Sequence, residues 1–122
     1  MRIPKLPDTE LMIMNIIWHS NEEVTSAHVT KMLESQKDWT LTTILTFLSR
    51  LVERGFLTVR KKGRQNVYSA VIQEAEYVES ESKTFFEKLH GNSLTSLVAA
   101  LYSGQAISKE DLAELKQFID EK

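Results

Sequence analysis

The sequence predicts a mainly α-helical protein with one small β-hairpin, built as two lobes over residues 1–72 and 73–122. Three features predict it. Apolar residues recur at helical spacing along most of the chain, with a sharply bounded stripe between Trp39 and Gly55. Directly after Gly55 the period becomes the alternation of strands, and Gly63 separates two such runs as a hairpin turn would. From Glu74 onward the composition turns acidic and the helical period returns.

The elements follow in order. Pro4 and Pro7 keep the start extended, and Asp8 or Thr9 is expected to cap a helix running to about His19. Leu11, Met14, Ile17 and Trp18, broadened by Ile13 and Ile16, give that helix an apolar surface wide enough to pack on more than one side. Val24 and Thr25 form a short extended piece, and Thr25 or Ser26 starts a second helix to about Glu34 with Val29, Met32 and Leu33 as its stripe. Ser35 to Asp38 is a polar loop, and Trp39 is an apolar plug before the third helix. There Thr40 can accept a bond from the free N–H groups of the first turn. Ile44, Leu48 and Leu51, flanked by Leu45 and Val52, make the buried face, and Gly55 tolerates the positive φ that ends a helix. Strand formers around Val59 and from Val67 to Val71 flank the cationic tip Arg60-Lys61-Lys62-Gly63-Arg64.

Three more helices are expected in the second lobe. The first starts at Glu74, carries Tyr77, Phe85, Phe86 and Leu89, and stops at Gly91-Asn92. The second is strongly apolar and stops at Gly104; the third opens with Ser108 and Asp111 spaced as a capping box. A lobe this small closes a core poorly by itself. Its apolar residues Leu94, Leu97, Val98, Leu101, Leu112, Leu115, Phe118 and Ile119 are therefore assigned to a dimer interface with a second copy.

Composition narrows the chemistry. The 122 residues are 42% hydrophobic and 26% charged, as in a folded globular protein. No cysteine is present, which removes disulfides, thiolate metal sites and cysteine nucleophiles together. His19, His28 and His90 are too far apart in sequence to suggest a metal site, so neither a metal nor a cofactor is expected. Nucleophile-elbow, phosphate-loop and dinucleotide motifs are missing, and the carboxylates after Glu74 fall at solvated helical positions; an enzyme is not expected. The start of the chain has no signal-peptide core, and no apolar run reaches the roughly 18 residues of a membrane span. A cytoplasmic location without membrane insertion is expected.

The net charge of −2 argues against a nucleic-acid binder until it is resolved along the chain. Residues 1–39 carry a net −2, residues 40–70 a net +5 and residues 71–122 a net −5. The basic block coincides with the third helix and the hairpin. Helix, short strand, helix, helix and basic hairpin is the element order of a winged helix-turn-helix, followed here by a three-helix dimerisation lobe. Thr42, Thr43, Thr46 and Arg50 are expected to read or approach bases from the outer face of the third helix, a face that also carries Ser49 and Arg54. Arg60, Lys61, Lys62 and Arg64 are expected to hold backbone phosphate. The expected activity is transcriptional repression by a homodimer on double-stranded, dyad-symmetric operator DNA. A protein-interaction module with the basic hairpin as its acidic-partner surface, and a repressor controlled by a small ligand, are the alternatives.

Nearly the whole chain resembles the BlaI/MecI penicillinase-repressor family, whose wider circle includes the copper-responsive CopY repressors. The resemblance rests on the leading E-L-x-I-M-x-I-I-W, the K-D-W-T before the third helix and the R-L-x-x-R-G-F after it, all in order, together with NSLTSLV and the final SKEDLAELKQFI. It implies a homodimeric repressor of β-lactam-resistance-type or related stress genes. In β-lactam-responsive members, cleavage in the second C-terminal helix after activation of a membrane sensor protease breaks the dimer. Two departures stand out. The family's recognition helix typically begins Trp-Ser/Thr-Pro-Lys-Thr, but Leu41 and Thr42 stand here for the proline and lysine, and Leu45 stands where an arginine is frequent. The family's cleaved bond is Asn–Phe, and the matching positions are Ala100 and Leu101, the candidate proteolytic site. Copper-responsive members carry a C-terminal cysteine motif that this chain lacks.

Overall fold

The computed structural model describes residues 3–34 and 39–122; the polar loop expected at Ser35 to Asp38 lies outside them. In chain order the elements are α1 (Asp8–Trp18), β1 (Val24–Thr25), α2 (Ser26–Leu33), α3 (Leu41–Glu53), β2 (Leu57–Lys62), β3 (Gln65–Ala70), α4 (Glu74–His90), α5 (Leu94–Ser103) and α6 (Lys109–Asp120). The three strands form an antiparallel sheet in the order β1-β3-β2. The short extended piece at Val24 therefore does more than connect helices: it pairs with Tyr68 and closes the hairpin onto the helical layer.

The local rules account for most helix ends. Thr25 and Thr40 cap α2 and α3, accepting from the N–H groups of His28 at 3.1 Å and Thr43 at 3.2 Å. Ser108 and Asp111 form a complete capping box on α6. Gly55 takes φ +83 immediately after α3. One expectation fails, and another is met by different backbone geometry. α1 begins at Asp8 behind Pro7, with no side-chain cap, because the fixed φ of proline already sets the entry. Gly104 is not in the left-handed region; Gln105 is, at φ 61. What position 104 requires is space, since a Cβ there would lie 3.2 Å from the Ala100 carbonyl oxygen.

The chain divides into two compact units, one ending at Glu81 and the other running Ser82–Lys122. This division lies inside α4, beyond the expected 72/73 boundary. The cause is Tyr77, which is buried with the first unit's core. Its hydroxyl accepts from the Leu6 N–H at 3.0 Å, and its ring lies 5.7 Å from Trp18 and 5.9 Å from Phe56. The rest of that core comes from Ile13, Met14 and Ile17 of α1, Val29 and Leu33 of α2, and Ile44, Leu48 and Leu51 of α3, with Val24, Leu57 and Tyr68 from the sheet. Met32, placed in the α2 stripe by its spacing, is instead half exposed.

Inside this core lies one carboxylate, Glu10, 1% exposed. It accepts a charge-assisted hydrogen bond from the Arg54 guanidinium, which joins α1 to the C-terminal end of α3. In the second unit, by contrast, α5 and α6 bury no residue fully within the single chain. Leu94, Leu101, Phe118 and Ile119 are exposed there, while Leu97, Val98, Leu112 and Leu115 are half-buried.

Candidate nucleic-acid interface

α3 presents its outer face because its inner face is fully occupied. Ile44, Leu48 and Leu51 are each 0% exposed. On the opposite arc Thr42, Thr46, Ser49 and Arg50 are exposed, and Thr43 is half-buried at its edge. The three threonines are not equivalent. The Thr43 hydroxyl lies 3.1 Å from that of Thr40 and belongs to the capping arrangement. The Thr46 hydroxyl donates to the Thr42 carbonyl at 3.1 Å, leaving Thr46 an acceptor lone pair and a methyl group to present outward. Arg50 stands over the Phe47 ring, 5.6 Å from its centroid, and Phe47 packs 5.7 Å from Trp39. Trp39 thus acts as the expected plug and also backs the aromatic platform on which Arg50 is held. Spacing alone assigned Phe47 no part in this face. Leu41, at the first turn of α3, is 49% exposed.

Arg54 leaves the outer face that its sequence position suggested, because it is paired with Glu10. The wing cations also separate. Strand alternation puts Lys61 on the same side of β2 as Leu57 and Val59, and puts Arg60 and Lys62 on the other. Arg64 follows the Gly63 turn, where φ is +66. Among the described residues Lys61, Lys62 and Arg64 make no ion pair, whereas Arg60 is bound to the carboxylate of Glu23. Sequence reasoning assigned Glu23 no role. Its only signal was its place directly before β1, which the sheet brings to the outer side of the wing.

The remaining polar groups are engaged locally. His19 lies at the end of α1, its Nε2 2.8 Å from a Glu74 carboxylate oxygen. His90 Nδ1 lies 2.9 Å from the Ser96 hydroxyl. Among the described residues no group of three His, Cys, Asp or Glu side chains is placed to hold a metal ion. No described helix is long and apolar enough to cross a membrane. Ala100 and Leu101 both lie within α5 with exposed side chains, and their carbonyls accept from Gly104 at 3.0 Å and Ala106 at 2.8 Å.

Comparison with known proteins agrees with this geometry. The sequence profile of the family described as penicillinase repressor matches residues 6–121. The chain is 33% identical over 120 residues to the penicillinase repressor of Bacillus licheniformis, covering 98% of this chain and 93% of that protein. It is 26% identical over 118 residues to the methicillin resistance regulatory protein MecI of Staphylococcus aureus (strain N315), covering 97% and 95%. Among solved structures, the DNA binding domain of the repressor BlaI superposes with a TM-score of 0.55 at 37% identity, over 63% of this chain and 94% of that one. The monomeric form of Bacillus licheniformis BlaI in complex with the blaP half-operator superposes with a TM-score of 0.53, also at 37% identity, over 62% and 92%. A profile match across almost the entire length, with a threonine-arginine helix face beside a basic wing, settles the classification: the chain belongs to the penicillinase repressor family.

Proposed function

We propose that this chain is a DNA-binding transcriptional repressor that acts as a homodimer on a dyad-symmetric operator, controlling genes of the β-lactam-resistance or a related stress type. The observation that carries the reading is the α3 arc of Thr42, Thr46 and Arg50, exposed beside a wing with three cations that make no ion pair among the described residues. A helix with short side chains toward its N-terminus and an arginine one turn later fits the major groove, while the wing lysines fit the flanking phosphates. The BlaI relative solved on its half-operator supports the same use of this fold.

Pairing of two copies is assigned to α5 and α6, whose apolar residues lack full cover within one chain. Sedimentation equilibrium at tens of micromolar should give a dimer, and Phe118→Glu should give a monomer that still folds. A wild-type monomer at that concentration would refute the interface. Fluorescence anisotropy with the duplex just upstream of the chain's own gene tests the activity. Tight binding that survives an excess of random duplex supports the repressor, and no binding to any duplex favours the protein-interaction module.

Release of repression is assigned to cleavage between Ala100 and Leu101, after signalling by a membrane sensor protease. The bond sits in helical backbone, so a protease must first unwind the end of α5. One feature favours control by a small ligand instead: a cleft of about 510 Å³ between α1 and α2, lined by Met12, Ile16, His19, His28 and Met32 among others. In a reporter strain given a β-lactam, a chain fragment ending at Ala100 supports proteolysis. Derepression with the chain intact supports the ligand.

A further inference from the structure

Among the described residues the wing holds one ion pair, and its partners come from opposite charge blocks. Arg60 belongs to the basic stretch, and Glu23 to the acidic stretch before it. The strand order explains their meeting. β3 lies between β1 and β2, and Val67 of β3 faces Thr25 on one side and Arg60 on the other. Glu23, two residues before Thr25, belongs to the same face, so the Arg60–Glu23 contact reaches across the middle strand. Val67 is only 4% exposed, although it lies outside the main core cluster, on the sheet side that this pair crosses. Both charged side chains remain open to solvent, 56% for Arg60 and 36% for Glu23. A bound anion can therefore reach the guanidinium.

We propose that Glu23 is an affinity-setting residue: its carboxylate occupies Arg60 in the free protein in the way a DNA phosphate would, and on DNA Arg60 exchanges that carboxylate for a backbone phosphate. The inference rests on the DNA-binding reading above and adds a competitor to it. The exchange has a distinct ionic signature. An unpaired cation that meets a phosphate releases about one condensed counterion. When Arg60 leaves Glu23, the bare carboxylate beside the DNA recruits a cation, which offsets that release. Arg60 thus adds almost nothing to the salt dependence while Glu23 is present. Opening an exposed pair also weakens binding by about two- to fivefold.

The test is a double-mutant cycle on the full-length protein, reading the affinity for operator duplex and its logarithmic salt slope. Glu23→Gln should bind about two- to fivefold tighter with a slope steeper by about one. Arg60→Gln should bind more weakly with a slope close to that of wild type, and the double variant should keep that slope as well, so that only Glu23→Gln stands apart. Glu23→Asp, which keeps the charge, should keep the wild-type slope and separates lost charge from lost fold. A Glu23→Gln slope equal to wild type, with binding intact, overturns the exchange and makes the pair a structural strap over Val67. Failure of the wild type to bind any duplex overturns the DNA-binding reading itself.

Discussion

Replacing Arg54 with methionine keeps an unbranched apolar stem and removes the guanidinium with its charge, which leaves the Glu10 carboxylate buried without its cation. The structure sets the size of the effect. The Glu10 side chain is 2% exposed and that of Arg54 is 41% exposed. Removing one partner of a buried pair costs about 3–5 kcal/mol when the other charge stays fully enclosed. Here water reaches the arginine end and can follow into the vacated space, so the expected cost is about 2–3 kcal/mol. The reverse change, Glu10→Met, removes the buried charge itself and lets Arg54 return to solvent, at a cost below about 1 kcal/mol. The double variant should lie close to Glu10→Met. Both tryptophans, Trp18 and Trp39, belong to the same unit as this pair, so fluorescence-monitored urea unfolding reads it directly. At a slope of about 1.5 kcal/mol per molar, Arg54→Met should lower the midpoint by about 1–2 M. Protomer concentration must be held fixed, because association shifts apparent stability. Equal midpoints for the two single variants would refute the argument, since they would mean that Glu10 is effectively solvated.

Three further outcomes follow from the same structure. Arg50→Ala should weaken operator binding by about 1–3 kcal/mol and relax the preference at one base pair; unchanged affinity would remove Arg50 from the base-reading face. Lys62→Ala should weaken operator and random duplex alike and reduce the salt slope by about one, and a loss confined to the operator would contradict a phosphate contact. Asp111→Asn addresses acid stability. The backbone N–H of Ser108, and then its hydroxyl, hold the Asp111 carboxyl below the ordinary value of 3.8. A depressed folded value stabilises the fold above pH 3.8 and is lost as pH falls through that depressed value. Thermal melts followed by circular dichroism should therefore show wild type and Asp111→Asn converging at the acid end, and a gap that stays constant with pH would contradict the sign.

What could be read from sequence was whatever depends on near neighbours along the chain. Ile44, Leu48 and Leu51 announced the buried line of α3, Thr40 its start and Gly55 its stop, because periodicity and capping act over a few residues. The basic wing was legible as composition on either side of Gly63. The partners of its charges were not. Glu10 is 44 residues from Arg54 and Glu23 is 37 residues from Arg60, separations at which only the assembled fold pairs them. The same limit moved the division between the two units. Tyr77 belongs by spacing to the helix of the second lobe, yet its ring and hydroxyl are bound by Trp18, Phe56 and Leu6. Gly104 ends α5 as expected, although the left-handed turn is taken by its neighbour Gln105.

Leu41 stands half exposed at the first turn of α3. An apolar side chain there gains little from attraction to phosphate and much from leaving water. Against a thymine methyl it would add to the heat-capacity decrease on complex formation, a contribution that sodium chloride barely alters. Temperature, rather than ionic strength, is then the variable that separates an operator with thymine under Leu41 from one without it.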